Sequence, residues 1–95
     1  MSSTSITDNT IAVARENHVK SSVEGEVVLL DIEAGVYYGL NEVGAEVWDL
    51  IQEPQTVEEI VDALLDKYTV ERERCMADVI ELLEELNHHG LVNLR

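Results

Sequence analysis

Glu26 to Ile51 reads EVVLLDIEAGVYYGLNEVGAEVWDLI, and the period of its apolar residues changes once, at Asn41. Before that point the pattern is strand-like: Val28, Leu30 and Ile32 alternate with their neighbours. Glu33-Ala34-Gly35 fits a three-residue hairpin loop, with glycine last in the left-handed position. Val36-Tyr37-Tyr38-Gly39-Leu40 is the return strand; it is rich in β-formers, and Val36, Tyr38 and Leu40 share one face. After that point the pattern is helical. Asn41 is a good N-cap, and Val43, Val47, Leu50 and Ile51 form a stripe with Trp48 beside it.

Working outward, Ile11 and Val13, then Val19, Ser21 and Val23, alternate as strands do, and Glu24-Gly25 marks a turn. The expected product is a three-stranded antiparallel sheet whose last strand, Val36 to Leu40, lies at an edge. Downstream, Pro54 stops the first helix, and Thr56 with Glu59 forms a capping box for a second. That second helix carries Val57, Ile60, Val61, Leu64, Leu65 and Tyr68 on one face. Thr69 is the expected cap of a third helix that runs to about His88 and stops at Gly90. Its apolar set, Cys75, Met76, Val79, Ile80, Leu82, Leu83 and Leu86, is wider than the second helix needs. Leu91, Val92 and Leu94 are expected to fold back onto the body. Residues 1–10 read as a disordered polar tail and 11–95 as a single domain. The order β-β-β-α-α-α predicts an α+β fold of winged helix-turn-helix type, a three-stranded antiparallel sheet followed by three helices.

In DNA-binding proteins of that type, a recognition helix lies in the major groove. Here the third helix holds Glu71, Glu73, Asp78, Glu81, Glu84 and Glu85 against Arg72 and Arg74. The whole 95-residue chain has six Lys and Arg against twenty Asp and Glu, a formal net charge of −14. Phosphate backbones and anionic lipid heads are bound by clustered Lys and Arg, so neither nucleic acid nor a membrane surface is the expected partner. The longest unbroken apolar run, Val27 to Leu30, is far short of a membrane span. A single cysteine and the absence of a basic-then-apolar signal segment fit a cytoplasmic protein. At 45 % hydrophobic residues the chain has enough apolar material to fold, and with no Phe and one Trp the core is expected to be aliphatic.

Catalytic and metal chemistries find no constellation. His88 and His89 are adjacent, so on a helix they point about 100° apart, and Cys75 is almost four turns away. Cys75 itself sits on the apolar stripe, the setting of a small buried hydrophobe rather than a nucleophile. No serine lies beyond Ser22, which excludes the helix-start serine of an acyl carrier protein, and no Gly-rich phosphate loop is present. No catalytic residue, metal or cofactor is therefore assigned. What remains is an interaction surface: an edge strand whose unpaired backbone groups suit an extended peptide, beside surplus apolar positions on the third helix. The carboxylates around it suit a basic or mixed-charge peptide.

The quoted stretch, followed by TVEEIVDALLDKY at 56–68 and a third helix ending LNHHGLV at 86–92, resembles the PqqD-like family, small domains also called RiPP recognition elements. The matching features are the Leu29-Leu30-Asp31 strand, the G-x-Y-Y-x-L-N run from Gly35 to Asn41, Gly44, Trp48 and the late Gly90-Leu91-Val92, over roughly Val23 to Leu94. The resemblance implies a winged-helix fold and a non-enzymatic role: binding the leader segment of a ribosomally made precursor peptide and presenting it to modifying enzymes. It implies that the leader adds as an antiparallel strand along Val36, Tyr37, Tyr38, Gly39 and Leu40. Met76, Val79, Ile80 and Leu83 would then form an apolar groove with Arg74 and Asp78 at its polar edge.

Within the family the wording of the chain looks most like the lasso-peptide branch. That implies a leader-cleaving cysteine protease and an ATP-dependent cyclase as partners, and a leader with a Tyr-x-x-Pro element. The runner-up is the pyrroloquinoline quinone branch, with a radical SAM enzyme as partner. From a different class, the residues also admit an acidic winged-helix regulator acting by protein contact or as a DNA mimic. The chain is expected to be a monomer, with an edge-strand dimer as the form that Val36 to Leu40 would favour at high concentration.

Overall fold

Two small antiparallel sheets flank a three-helix body in the computed structural model, which describes residues 6–15, 18–23, 26–31 and 35–95. The first sheet centres on β1 (Ile11–Ala14), with β5 (Gln55–Thr56) on one side and β6 (Val92–Leu94) on the other. The second is the expected three-stranded wing, ordered β2 (His18–Val23), β3 (Glu26–Asp31), β4 (Val36–Leu40). The helices are α1 (Glu42–Leu50), α2 (Val57–Lys67) and α3 (Arg72–His88). The winged-helix, α+β architecture is as the sequence predicts. The first sheet adds to it: the apolar tail at Leu91, Val92 and Leu94 folds back as β6, with Leu91 and Val92 buried.

The phase of β3 differs from the alternation expected. Leu29 is 0 % exposed and Val27 packs on the core, whereas Leu30 is 41 % exposed. The run Val27 to Leu30 is apolar at every position, so its own periodicity does not choose a face. Register chooses it. Leu29 pairs with Tyr38 and Val27 with Leu40, and directly paired residues share a face of the sheet. The inward face of β4 therefore recruits Val27 and Leu29. Gly35 has φ 70°, the left-handed conformation expected of the last residue of the hairpin loop; Ile32, Glu33, Ala34 and the Glu24-Gly25 turn lie outside the described residues.

The helix starts follow the local chemistry at two of three places. The Asn41 side chain accepts from the Gly44 amide at 2.7 Å, and Thr56 and Glu59 make both bonds of the capping box, at 2.8 and 3.1 Å. The third start is displaced. The cap of α3 is Glu71, without a side-chain hydrogen bond, and not Thr69. Helix α2 runs to Lys67 and Tyr68 is extended, so residues 69–71 are taken up in the turn between the two helices. Arg72 then ties the start of α3 back to Asp62 of α2 at 2.8 Å. Gly90, with φ 72°, follows the end of α3 as expected.

Val47, Trp48, Ile51, Val57, Ile60, Val61 and Leu64 from α1 and α2 meet Cys75, Val79, Leu83 and Leu86 of α3 in one core with Leu29 and Leu40 of the wing. Residues 6–10, placed by the sequence in the polar tail, hydrogen-bond to the body. The Asp8 and Thr10 carbonyls accept from the Glu58 and Val57 amides, which the first turn of α2 leaves without helical partners. No helix among the described residues is long and apolar enough to cross a membrane.

Candidate peptide-binding site

Strand β4 pairs with β3 on one side, and among the described residues no strand lies on its other side. Alternate residues of such an edge present unpaired N–H and C=O groups to an incoming chain. Side chains of β4 divide between the two faces of the wing. Tyr37 is 76 % exposed and Gly39 exposed on the outer face, while Tyr38 is half-buried and Leu40 is in the core.

Tyr38 ties the inner face of β4 to the late part of α3. Its hydroxyl donates to Glu85 Oε2, and its ring lies 5.3 Å from that of His89, tilted by 54°. Burial of the ring, with the adjacent Glu85 carboxylate, pushes the Tyr38 phenol up to about 12. At the other end of the strip, Val43 of α1 faces Cys75, Asp78 and Val79 of α3. Together with Leu64, Tyr68 and Val70 they line an apolar cavity of about 100 Å³. Burial also raises the Cys75 thiol, with Asp78 adding to the rise and Arg72 opposing it. The thiol thus lies in the pocket wall with its protonated form favoured.

Asp78, Leu82, Glu85 and His89 recur at steps of four, three and four residues, one side of a helix. Arg74, one turn earlier on the same side, has its guanidinium 3.9 Å from Asp78, and both are exposed. Val79 and Leu83 are 2 % and 0 % exposed, so they support the site from the core, Val79 as part of the cavity wall. Met76 and Ile80 lie on the other flank of α3, half-buried against the core. Met76 is nine residues from Glu85, and Ile80 nine from His89. Nine residues are two and a half turns, so each points away from the side that Tyr38 touches.

The apolar wall at Val43, Tyr68 and Val70, and the Tyr38 partners Glu85 and His89 with Leu82 on their side of α3, are not among the residues the sequence singles out for the site. Following Asp78 along its own helix side finds the last three; the cavity wall comes from separate elements and has no local signal.

Among the described residues no cluster of His, Cys, Asp and Glu is arranged to hold a metal ion. The site offers backbone hydrogen bonds, an apolar pocket and carboxylates, which are the means of peptide recognition.

Comparison with known proteins gives the family of the chain. The family model for coenzyme PQQ synthesis protein D (PqqD) matches residues 26–92. No curated protein matches significantly in sequence. Among solved structures, TbiB1 in complex with the TbiA(beta) leader peptide is 34 % identical, with a TM-score of 0.76 over 85 % of this chain and 94 % of that one. A lasso peptide synthetase B1 complexed with the leader peptide is 23 % identical, also at a TM-score of 0.76, over 86 % of this chain and 96 % of that one. With most of its length matched by one family model and its fold shared with these proteins, the chain belongs to the PqqD family, as a PqqD-like RiPP recognition element.

Proposed function

We propose that this protein binds the leader segment of a ribosomally synthesised precursor peptide, without itself catalysing a reaction, by adding the leader as an antiparallel strand to β4. The observation that carries the reading is the juxtaposition of an open strand edge at Val36 to Leu40 with the Asp78, Leu82, Glu85, His89 side of α3 and the apolar cavity at its end. Its relatives in complex with leader peptides support it. The leader's backbone pairs with β4, an apolar side chain enters the cavity, and Arg74 and Asp78 border it.

The wording of the chain at 26–51, with the fold it shares with a lasso peptide synthetase B1, favours the lasso-peptide branch, in which the bound leader would be passed to a leader-cleaving cysteine protease and an ATP-dependent cyclase. The name of the family model favours the second reading, a peptide chaperone for a radical SAM enzyme in pyrroloquinoline quinone synthesis. Titration with the TbiA(beta) leader, followed by amide hydrogen exchange, tests the binding step. Slowed exchange at 36–40 with no metal or nucleotide added is expected; binding that leaves those amides unprotected would sink strand addition. Copurification with a co-expressed protease and cyclase, or with a radical SAM enzyme, separates the branches.

A further inference from the structure

The direction of β4 relative to α3 gives the peptide site a polarity. Tyr38 contacts Glu85 and His89, late in α3, and Val43, just beyond β4, faces Cys75, Asp78 and Val79, early in α3. Strand β4 and its continuation into α1 therefore run opposite to α3. A chain added antiparallel to β4 runs parallel to α3. Its N-terminal part lies at the apolar cavity and its C-terminal part at Glu85.

The two ends differ in chemistry. The cavity is lined by Val43, Leu64, Tyr68, Val70, Cys75 and Val79, and the carboxylate at its rim, Asp78, has Arg74 beside it. At the other end the exposed Glu85 carboxylate accepts from the neutral hydroxyl of Tyr38. From the turn at Cys75–Val79 to Glu85 is about eight residues of helix, or about 12 Å. An extended chain covers that in about four residues, and residues four apart share a face of a strand. We infer that the peptide selected by this groove carries an apolar residue followed, four positions toward its C-terminus, by Lys or Arg, in that order. The inference rests on the strand-addition reading and adds to it a direction, a spacing and a charge.

Selection from a displayed library of random 12-residue peptides at low salt tests it directly, with the intact chain as bait. The expected winners hold the apolar-x-x-x-basic order and slow amide exchange at 36–40. Replacing the basic residue of a winner by Glu is expected to weaken binding about tenfold or more. In the Glu85→Gln variant, which keeps an acceptor for Tyr38, that gap is expected to fall to about twofold or less. Winners that protect 36–40 but lack the order, or a gap that survives Glu85→Gln, would overturn the inference and leave strand addition standing. Winners that leave 36–40 unprotected, or no enrichment at all, would overturn both.

Discussion

Helix α3 has two flanks on either side of one buried stripe, and they differ in what they face rather than in how apolar they are. Met76 and Ile80 on one flank and Leu82 on the other are all half-buried and all pack against the core. The Leu82 flank is the one that carries Glu85 and His89, the residues Tyr38 of β4 reaches. Equal hydrophobicity thus has unequal meaning. A surplus apolar position becomes part of a peptide site when an unpaired backbone runs beside it, and stays packing material when it does not.

The stripe between the flanks sets the largest expected effect. Val79→Glu places a carboxylate at a position 2 % exposed, and Leu83→Ala empties one that is 0 % exposed. The first is expected to unfold the domain outright, since an unpaired buried charge costs more than a chain this small has in reserve. The second is expected to lower stability by about 2–5 kcal/mol in urea denaturation. Both act on binding through folding, so neither distinguishes the flanks. A folded Val79→Glu protein of unchanged stability would show that the stripe is less closed than its burial implies.

The flanks themselves are separated by Leu82→Ser and Ile80→Ser. Each removes a half-buried aliphatic group, and each is expected to cost about 1 kcal/mol of stability. Leader affinity is expected to divide them. Leu82→Ser should bind at least about tenfold more weakly, about 1.4 kcal/mol, while Ile80→Ser stays within about twofold. Titration calorimetry with one leader against both variants measures it. The reverse ranking would move the site to the Met76 and Ile80 flank.

That choice of flank marks where the sequence stops being legible. The wing, the strand-to-helix switch at Asn41, the capping box at Thr56 and Glu59 and the stop at Gly90 all depend on neighbours within a few residues, and pattern alone places them. Edge status for β4 follows from strand order, which short hairpin connections nearly dictate. The side of α3 that meets β4 depends on how the wing folds back over the helices, a contact between residues 47 apart such as Tyr38 and Glu85. The phase of β3 was hidden for a related reason: an apolar run has no preferred face until its partner strand supplies one. The start of α3 at Glu71 was hidden because Thr69 has the right side chain for a cap but stands too close to the end of α2.

A smaller effect probes the contact that joins the β4 edge to its flank. Tyr38→Phe keeps the ring and removes the bond to Glu85; because the carboxylate is exposed, the loss is expected to be about 1 kcal/mol or less. The phenol provides a pH signature. Its folded value, about 12, stands above the ordinary 10.0, so the folded state holds the proton more tightly. The stabilisation is complete below pH 10 and is lost as pH rises through 12. Ultraviolet titration of the native protein is expected to show a late-ionising tyrosine that Tyr38→Phe removes. Titration of Tyr38 near pH 10 would mean that β4 is not held against α3 as described.

The smallest perturbation uses Cys75, which belongs to the buried stripe but also lines the cavity on the Leu82 side. Burial raises its thiol, so at pH 8 less of it is thiolate than in an exposed cysteine, and the residue is shielded as well. Reaction with a disulfide reagent is expected to be about tenfold or more slower in the native protein than in urea. Native reaction needs the cavity side to open. A leader seated along β4 with a side chain in the cavity covers that route, whereas a peptide on the Met76 and Ile80 flank does not. A further slowing at saturating leader is therefore expected, and it needs no mutation at all. A thiol that reacts at the same rate with and without bound leader would place the peptide clear of the cavity, and the apolar end of the site would have to be sought elsewhere along α3.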